Sequence, residues 1–503
     1  MEVVYLFISL FLLLASYLLI THIHHKSANL PPTVFPALPV IGHLYLLKKP
    51  LYRTLAKISA KYGPVLFLRL GFRRVLLISS PSAAEECFTK NDIIFANRPH
   101  LLFGKIIGNN YTSLGWSSYG DNWRNLRRIA STEILSTPRL NEFHDIRAEE
   151  GRLLVRKLMS NSSPEGVKMR SVFYEVTLNV MMRMISGKRY FGGDIPGAEE
   201  EGQRLQEMME ETFLIHGAGN VGDYLRVSWL GVKGLEKRLI ALQEKLDDFI
   251  QKLIEQLRTS KGEMKTKTRK TMVEVLLSLQ ESDPEYYTDQ MIRSFVQVMI
   301  FAGTDTSSGT MEWCLSLLLN HPQVLRKAQN EIDRKVGKDR LVRESDMVDL
   351  PYLRGIINET FRLHPAVPVL PPHESSQDCI IEGYNVPCGT MLLVNQWAIQ
   401  HDAKFWTDPE RFNPERFEGI EGMRDGFKLM PFGSGRRGCP GEGLAVLMIG
   451  LTLGLLIQCF DWERLSDKMV DMKEGLGVTM PKAEPLVALC KPRLEMQNVL
   501  AQL

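Results

Sequence analysis

The sequence predicts a mainly α-helical body with a small β component, preceded by a single N-terminal transmembrane helix. Three observations predict it. The run Val3–Ile20, VVYLFISLFLLLASYLLI, holds no charged residue. Helical patterning dominates beyond residue 140 and includes one long, mostly apolar stretch over 290–322. From Pro365 to Gly441 prolines and glycines become frequent, as they do between short strands and turns. No internal repeat and no clear linker divides the part that follows the apolar run.

Composition agrees with a folded body. Of 503 residues, 44% are hydrophobic and 24% charged, enough to bury a large core. The net charge of +3, from 61 basic and 58 acidic residues, gives no concentrated basic footprint, which argues against a nucleic-acid partner. The seven cysteines, Cys87, Cys314, Cys379, Cys388, Cys439, Cys459 and Cys490, are scattered and never spaced as CxxC. That pattern argues against a disulfide framework and against zinc, and places the body in a reducing compartment.

Taken in order, the first element is the anchor. Residues 3–20 as a helix span roughly 27 Å, close to the hydrocarbon thickness of a bilayer. A cleaved signal has an apolar region of only about 7–15 residues and a basic segment before it, and here Glu2 is the sole early charge. Lys26, Lys48, Lys49 and Arg53 follow the run, so the positive-inside rule leaves the body in the cytosol. Residues 30–42 form a proline-rich collar, with Pro31, Pro32, Pro36 and Pro39 stiffening the lead-in to a body over 43–503. Two apolar runs either side of Gly71, within 61–80, read as a β-hairpin, and Pro81 opens a helix. SNSSPEG (160–166) and TSKGEMKTKTRK (259–270) read as solvated loops between helices.

Three stretches carry chemistry. In FGSGRRGCPGEGLAVLMIG, residues 432–450, glycines precede Cys439 and a long apolar helical run follows Pro440. Glycine lets a backbone turn tightly and approach a flat object, and proline suits a first helical position. Free amides and the positive end of a helix dipole there favour a thiolate, as do Arg436 and Arg437. The residues alone leave open a metal-binding thiolate or a buried structural thiol. In the long helix, polar Asp305 and Thr306 interrupt an apolar middle after Ala302 and Gly303. They can relay protons, or Thr306 can simply bond back to its own helix. In LPYLRGIINETFRLHP (350–365), Glu359 and Arg362 share one helix face, which by itself makes an ordinary surface pair.

Together these residues resemble the cytochrome P450 family. Phe432, Gly435, Arg437, Cys439 and Gly441 match its signature F-x-x-G-x-R-x-C-x-G, and Ala302, Gly303, Asp305 and Thr306 match A-G-x-D-T. The resemblance implies the cytochrome P450 fold and one haem b, with Cys439 as axial thiolate ligand to the iron. It implies that Arg437 pairs with a propionate and that Trp123 and Arg127, four apart in GDNWRNLRR, touch the propionates, as does His373 in LPPHESS. Gly303 leaves room for a ligand against the helix, and Asp305 and Thr306 deliver protons to the reacting oxygen. Glu359 and Arg362 form a buried structural triad with a later arginine from one of two PERF segments, Arg416 fitting better than Arg411.

The same resemblance implies an O2-dependent monooxygenase. NADPH is used indirectly, through a separate NADPH–cytochrome P450 reductase. A docking face for that acidic partner is expected at Arg436, Arg424, Lys428, Arg124 and Arg128. Phe103, Ile106, Ile107, Tyr111, Met299, Ala302, Val367, Val369, Leu370, Leu476 and Val478 are expected around the substrate, which their apolar character makes small and hydrophobic. AGTDTSS, PHESS and FGSGRRGCPG look most like a plant microsomal enzyme of specialised metabolism, anchored in endoplasmic-reticulum lipid with a cytosolic body. A phenolic such as a flavonoid or isoflavonoid is the first expectation for the substrate and a polycyclic terpenoid the second. A haem-thiolate isomerase or dehydratase working without reductase, or a non-enzymatic haem- or lipid-binding membrane protein, is the alternative. The Asp305–Thr306 pair argues against the isomerase, which needs no oxygen-activating protons.

Overall fold

A computed structural model describes residues 1–160, 164–193, 195–218, 220–225, 232–259, 269–420 and 424–503. Within the expected loops at 160–166 and 259–270, residues 161–163 and 260–268 lie outside the described residues.

Helix α1 (Glu2–Ser27) runs beyond the uncharged stretch and buries none of its residues, as expected of a segment whose apolar side chains face lipid. A second helix, Glu442–Cys459, is long and apolar enough to cross a membrane, but 72% of it is buried inside the body. Its apolarity serves the core. The proline-rich segment does not stand free as a spacer. Pro32 carbonyl accepts from the Phe67 amide at 2.8 Å, and His43 donates its amide to Arg69 carbonyl at 2.6 Å.

That contact reaches the hairpin β1 (Val65–Leu70) and β2 (Arg73–Ile78), which turns at Gly71 as expected. Helix α2 (Pro81–Phe88) begins at the predicted proline. Further along come α3 (Leu102–Ile106), α4 (Asp121–Arg128), α5 (Met169–Ser186) and α6 (Ala198–Ala218). The long predicted helix is α7 (Asp289–Asn320), capped at its start by the Thr288 hydroxyl and followed by α8 (Pro322–Lys335), whose first residue is the proline expected to end it. After α9 (Pro351–Leu363) the proline-rich region gives β3 (His373–Glu374) and β4 (Met391–Val394), and α10 is Glu442–Cys459. One sheet orders its strands β1-β2-β4-β3, with β2 and β4 parallel and the other pairs antiparallel.

The core is divided, and the division places the site. The first half of α7, with Ile292, Phe295, Val296 and Ile300, packs with α5 and α6 residues such as Leu178 and Leu205. Its second half, with Met311, Cys314, Leu315 and Leu318, packs with α9 and most of α10. Residues 302–309 belong to neither cluster and hold small and polar side chains. Close-packed apolar material on both sides thus fixes a helix whose middle is free to line a cavity.

Candidate functional site

The cysteine loop is built by turns that only glycine tolerates. Gly435 has φ +65°, and a Cβ there would lie 2.4 Å from Asp92 Oδ1 and 2.9 Å from Phe88 carbonyl. Any other residue would meet both strain and a clash. This close approach lets Asp92 accept from the Arg436 amide at 3.0 Å and its guanidinium at 3.1 Å, tying the loop to the segment after α2. The Cys439 amide donates to Phe432 carbonyl at 2.8 Å, which closes the loop, and the Gly441 amide donates to Cys439 Sγ at 3.3 Å. The Phe432 ring meets Phe361 of α9 edge-on at 5.3 Å.

The cysteine stands just before α10, which begins at Glu442. Its surroundings push the thiol up, while the Gly441 amide and Arg127 pull it down, and a metal ion bound there would favour the thiolate.

Beside this loop lie three arginines and a histidine that pair with no acid among the described residues. Arg437 donates Nε to Ala96 carbonyl at 2.9 Å and Nη2 to Ser117 carbonyl, and sits 4.5 Å over the Trp123 ring, but its buried Nη1 has no partner. Burial pushes Arg437 down to about 8, with repulsion from Arg98 and Arg127 adding to it. Arg127 donates to Gly438 carbonyl at 2.5 Å. Arg98, 8% exposed, donates to Gly115, Pro371 and Pro372 carbonyls, and burial lowers it to about 10. His373 is 5% exposed, hydrogen-bonded through Nδ1 to Phe95 carbonyl at 2.7 Å, and held well below the usual histidine range by burial and then by Arg98.

Sequence reasoning missed Arg98. Its only signal is an arginine in FANRPH, far from every motif, and only the fold brings it to Arg437. Among the described residues, none of these four groups makes an ion pair with an acid. Holding three arginines together, with Arg98 buried and Arg127 and Arg437 half-buried, is costly unless an anion completes the set. A flat group bearing two carboxylates beside a soft metal fits both the orphaned Nη1 and the cysteine.

On α7, Ala302 is exposed although its neighbour Phe301 and nearby Thr304 are buried. Gly303 faces elsewhere. A Cβ on it would lie 2.5 Å from Met181 Sδ, so its bareness admits α5, and the space expected for a ligand is filled by helix packing. Met299, four residues earlier and on the same helix face, likewise meets Met181 and Leu444 around a void of about 10 Å³. The Thr306 hydroxyl donates to Ala302 carbonyl at 2.7 Å, the local bond that was the alternative reading. Its remaining lone pairs stay accessible. Asp305, one residue before it, meets Thr479, and burial raises its carboxyl while Thr479 and Arg170 favour the charged form. The two side chains share a helix turn and no direct hydrogen bond.

The expected pocket residues divide. Phe103, Ile106, Tyr111, Val367, Val369 and Val478 are half-buried. Ile107 is buried in the core with α5 and α6, and Leu370 in the core beneath the sheet with Phe88 and Val394. Leu476 is 58% exposed, and it is Thr479, missed from the sequence, that turns towards Asp305. The triad is complete. Glu359 and Arg362, both 0% exposed, pair at 2.7 and 2.8 Å, and Arg416 Nε reaches Glu359 at 3.2 Å. Arg411 contributes only its carbonyl, to Arg362 at 3.3 Å. The expected docking cations are compensated locally. Arg436 pairs with Asp92, Arg424 with Glu442, Lys428 with Asp425, Arg124 with Asp121 and Arg128 with Glu133. The face is thus a mosaic of pairs and not an open positive patch.

A glycine-built cysteine loop, an arginine cluster without acid partners and a long helix with a polar middle define a haem-thiolate protein. The chain belongs to the cytochrome P450 family, whose pattern it matches over residues 32–489. It is 51% identical to "Cytochrome P450 81Q32" of Catharanthus roseus over 95% of both chains. It is 48% identical to an isoflavone 3'-hydroxylase of Medicago truncatula over 97% of both. Similarity to a (+)-piperitol/(+)-sesamin synthase of Sesamum radiatum is 47% over 97% of this chain and 96% of that one. A zebrafish cytochrome P450 solved with progesterone superposes with a TM-score of 0.76 at 27% identity, covering 89% of this chain and all of that one. The protein is a haem-thiolate monooxygenase with an apolar N-terminal helix suited to membrane anchoring, and its electrons come from a redox partner.

Proposed function

We propose that this chain hydroxylates a neutral phenolic ring compound of plant specialised metabolism, with a flavonoid or isoflavonoid skeleton as the leading class. The observation that carries the site assignment is the arginine cluster without acid partners, with its orphaned Arg437 nitrogen, beside Cys439. Cys439 supplies the thiolate ligand, and Arg98, Arg127, Arg437 and His373 take the propionates, with Trp123 stacked under Arg437. The substrate class is supported by the isoflavone hydroxylases among the relatives and by the aromatic group of Phe103 and Trp116 near the long helix. The haem, when bound, supplies oxygen activation. The protein orients the substrate over Ala302, excludes water with apolar walls and moves protons. Asp305, raised by burial, holds its proton more firmly than a free aspartate and can feed protons towards the site, while the Thr306 hydroxyl keeps lone pairs open to accept a hydrogen bond there. α1 holds the body at the cytosolic face of the endoplasmic reticulum, where a membrane-bound NADPH reductase serves it.

Product formed per NADPH consumed tests the relay. Thr306→Ala should keep haem and substrate binding yet divert most electrons to peroxide, and Asp305→Asn should slow turnover by about 10²–10⁴-fold, the contribution of a general acid. Wild-type coupling in both would place proton delivery elsewhere. Arg437→Lys keeps the charge but loses the guanidinium fork and its orphaned donor. Loss of one charge-assisted bond, about 1.5–3 kcal/mol, should speed haem transfer to a scavenger protein by roughly 10–100-fold. An unchanged transfer rate would remove Arg437 from the propionate set.

A further inference from the structure

Where α3 meets α6, an aromatic group contains a polar ring with no hydrogen-bond partner among the described residues. His216 of α6 stacks on Phe103 of α3, with ring centroids 3.9 Å apart and planes 12° from parallel. Trp116 lies 6.0 Å from His216 and 5.9 Å from Phe103. This group is rigidly supported. A Cβ on Gly104 would lie 2.6 Å from the Trp116 ring and one on Gly108 2.8 Å from it, so the indole rests on a ledge that only glycine permits. The next residues, Asn109, Asn110 and Tyr111, all hold positive φ, at +51°, +52° and +60°. Amide bonds from Asn110 to Lys105 carbonyl at 2.8 Å and from Tyr111 to Gly104 carbonyl at 3.0 Å fold this left-handed turn back on α3. The backbone accepts an unfavourable conformation to keep the aromatic wall in place.

His216 belongs to the face of α6 that looks at α7. Met209, Phe213 and His216 recur at helical spacing, and Phe213 meets Phe301, the neighbour of Ala302, at 5.8 Å. Among the described residues, neither nitrogen of His216 makes a hydrogen bond, and the side chain is only half-buried. Its surroundings push it down to about 4, so near neutral pH the ring carries one N–H donor and one acceptor and no charge. A polar group left without a partner in an aromatic wall is a cost that a ligand can relieve.

We propose that His216 is a specificity-determining residue, hydrogen-bonding a neutral oxygen substituent (hydroxyl, ether or carbonyl) on an aromatic substrate. The inference rests on the proposed phenolic hydroxylase reading and sharpens it. An uncharged imidazole offers a carboxylate no counter-charge, so the oxygen it selects is neutral.

The test is binding of naphthalene, 2-naphthol and 2-naphthoate to the full-length holoprotein, read from the substrate-induced change in haem absorbance. Wild type should bind 2-naphthol on the order of tenfold tighter than naphthalene, the scale of one net hydrogen bond, and prefer it to the naphthoate. His216→Phe keeps the stack and should bring the naphthol-to-naphthalene ratio near one. His216→Gln keeps a donor and an acceptor and should restore part of it. An unchanged ratio in His216→Phe, a wild-type ratio of one, or tighter naphthoate would overturn the assignment. Phenolic turnover with no dependence on His216 would sink this inference and leave the hydroxylase reading standing. A His216-dependent ratio without phenolic turnover would do the reverse.

Discussion

Replacing Cys439 by serine is expected to abolish the red-shifted CO absorbance of thiolate-ligated ferrous haem and all O2-dependent turnover. The swap removes one sulfur and little else. The loop is closed by the Cys439 amide on Phe432 carbonyl and anchored by Asp92 on Arg436, bonds that a serine leaves intact. A serine hydroxyl is a hard, protonated donor, without the softness that holds iron through a thiolate. Loss of a partner that only orients a ligand costs metal sites about 10–100-fold, so loss of the ligand should exceed that. The cation cluster remains, so some haem should still be retained, with an altered spectrum. A normal CO spectrum in this variant would place the ligand on another residue and remove the basis for every site assignment made from the loop.

The fold and the chemistry were legible to different depths. Prolines and glycines marked α2, the hairpin turn at Gly71 and the end of α7 to within a residue or two, because those residues act through local backbone geometry. Short motifs likewise led to Cys439, Arg437, Asp305 and Glu359. What the sequence hid was direction. Gly303 and Met299 are spaced to face α5, yet their proximity to Ala302 in the motif pointed to a ligand. Ile107 and Leu370 carry the apolar character of pocket residues, but core and pocket use the same side chains. Arg98, Thr479 and His216 have no local signature, since each acquires its role only when distant segments meet. The paired state of Arg436, Arg424 and Lys428 was hidden for the same reason, because sequence lists charges but not the acids beside them.

Removing the carboxylate at Glu359 should be the most damaging single change away from the cysteine. Glu359 accepts two bonds from Arg362, one from Arg416 and one from the Asn413 amide, and it is fully buried with Arg362. Glu359→Gln keeps the shape and deletes the charge. It leaves Arg362 in the interior without an anion, which costs about 3–5 kcal/mol when a buried pair is broken from one side. That is a large part of a typical net stability of about 5–15 kcal/mol. The damage should reach the cysteine loop through α9, because Phe361 packs on Phe432, so the thiolate CO signal should fade along with the thermal midpoint. Arg416→Leu removes one bond to Glu359 at 3.2 Å and two to the Asp408 and Arg411 carbonyls, but from a side chain that water can reach, and should cost less, about 1.5–3 kcal/mol for a bond to a charged group. Arg411→Ala keeps the carbonyl that the triad uses and trims an exposed side chain, so it should fall within about 0.5 kcal/mol of wild type. Thermal unfolding and haem content of the three holoproteins give the ranking. If Arg411→Ala costs as much as Arg416→Leu, the third member of the triad has been assigned to the wrong PERF segment.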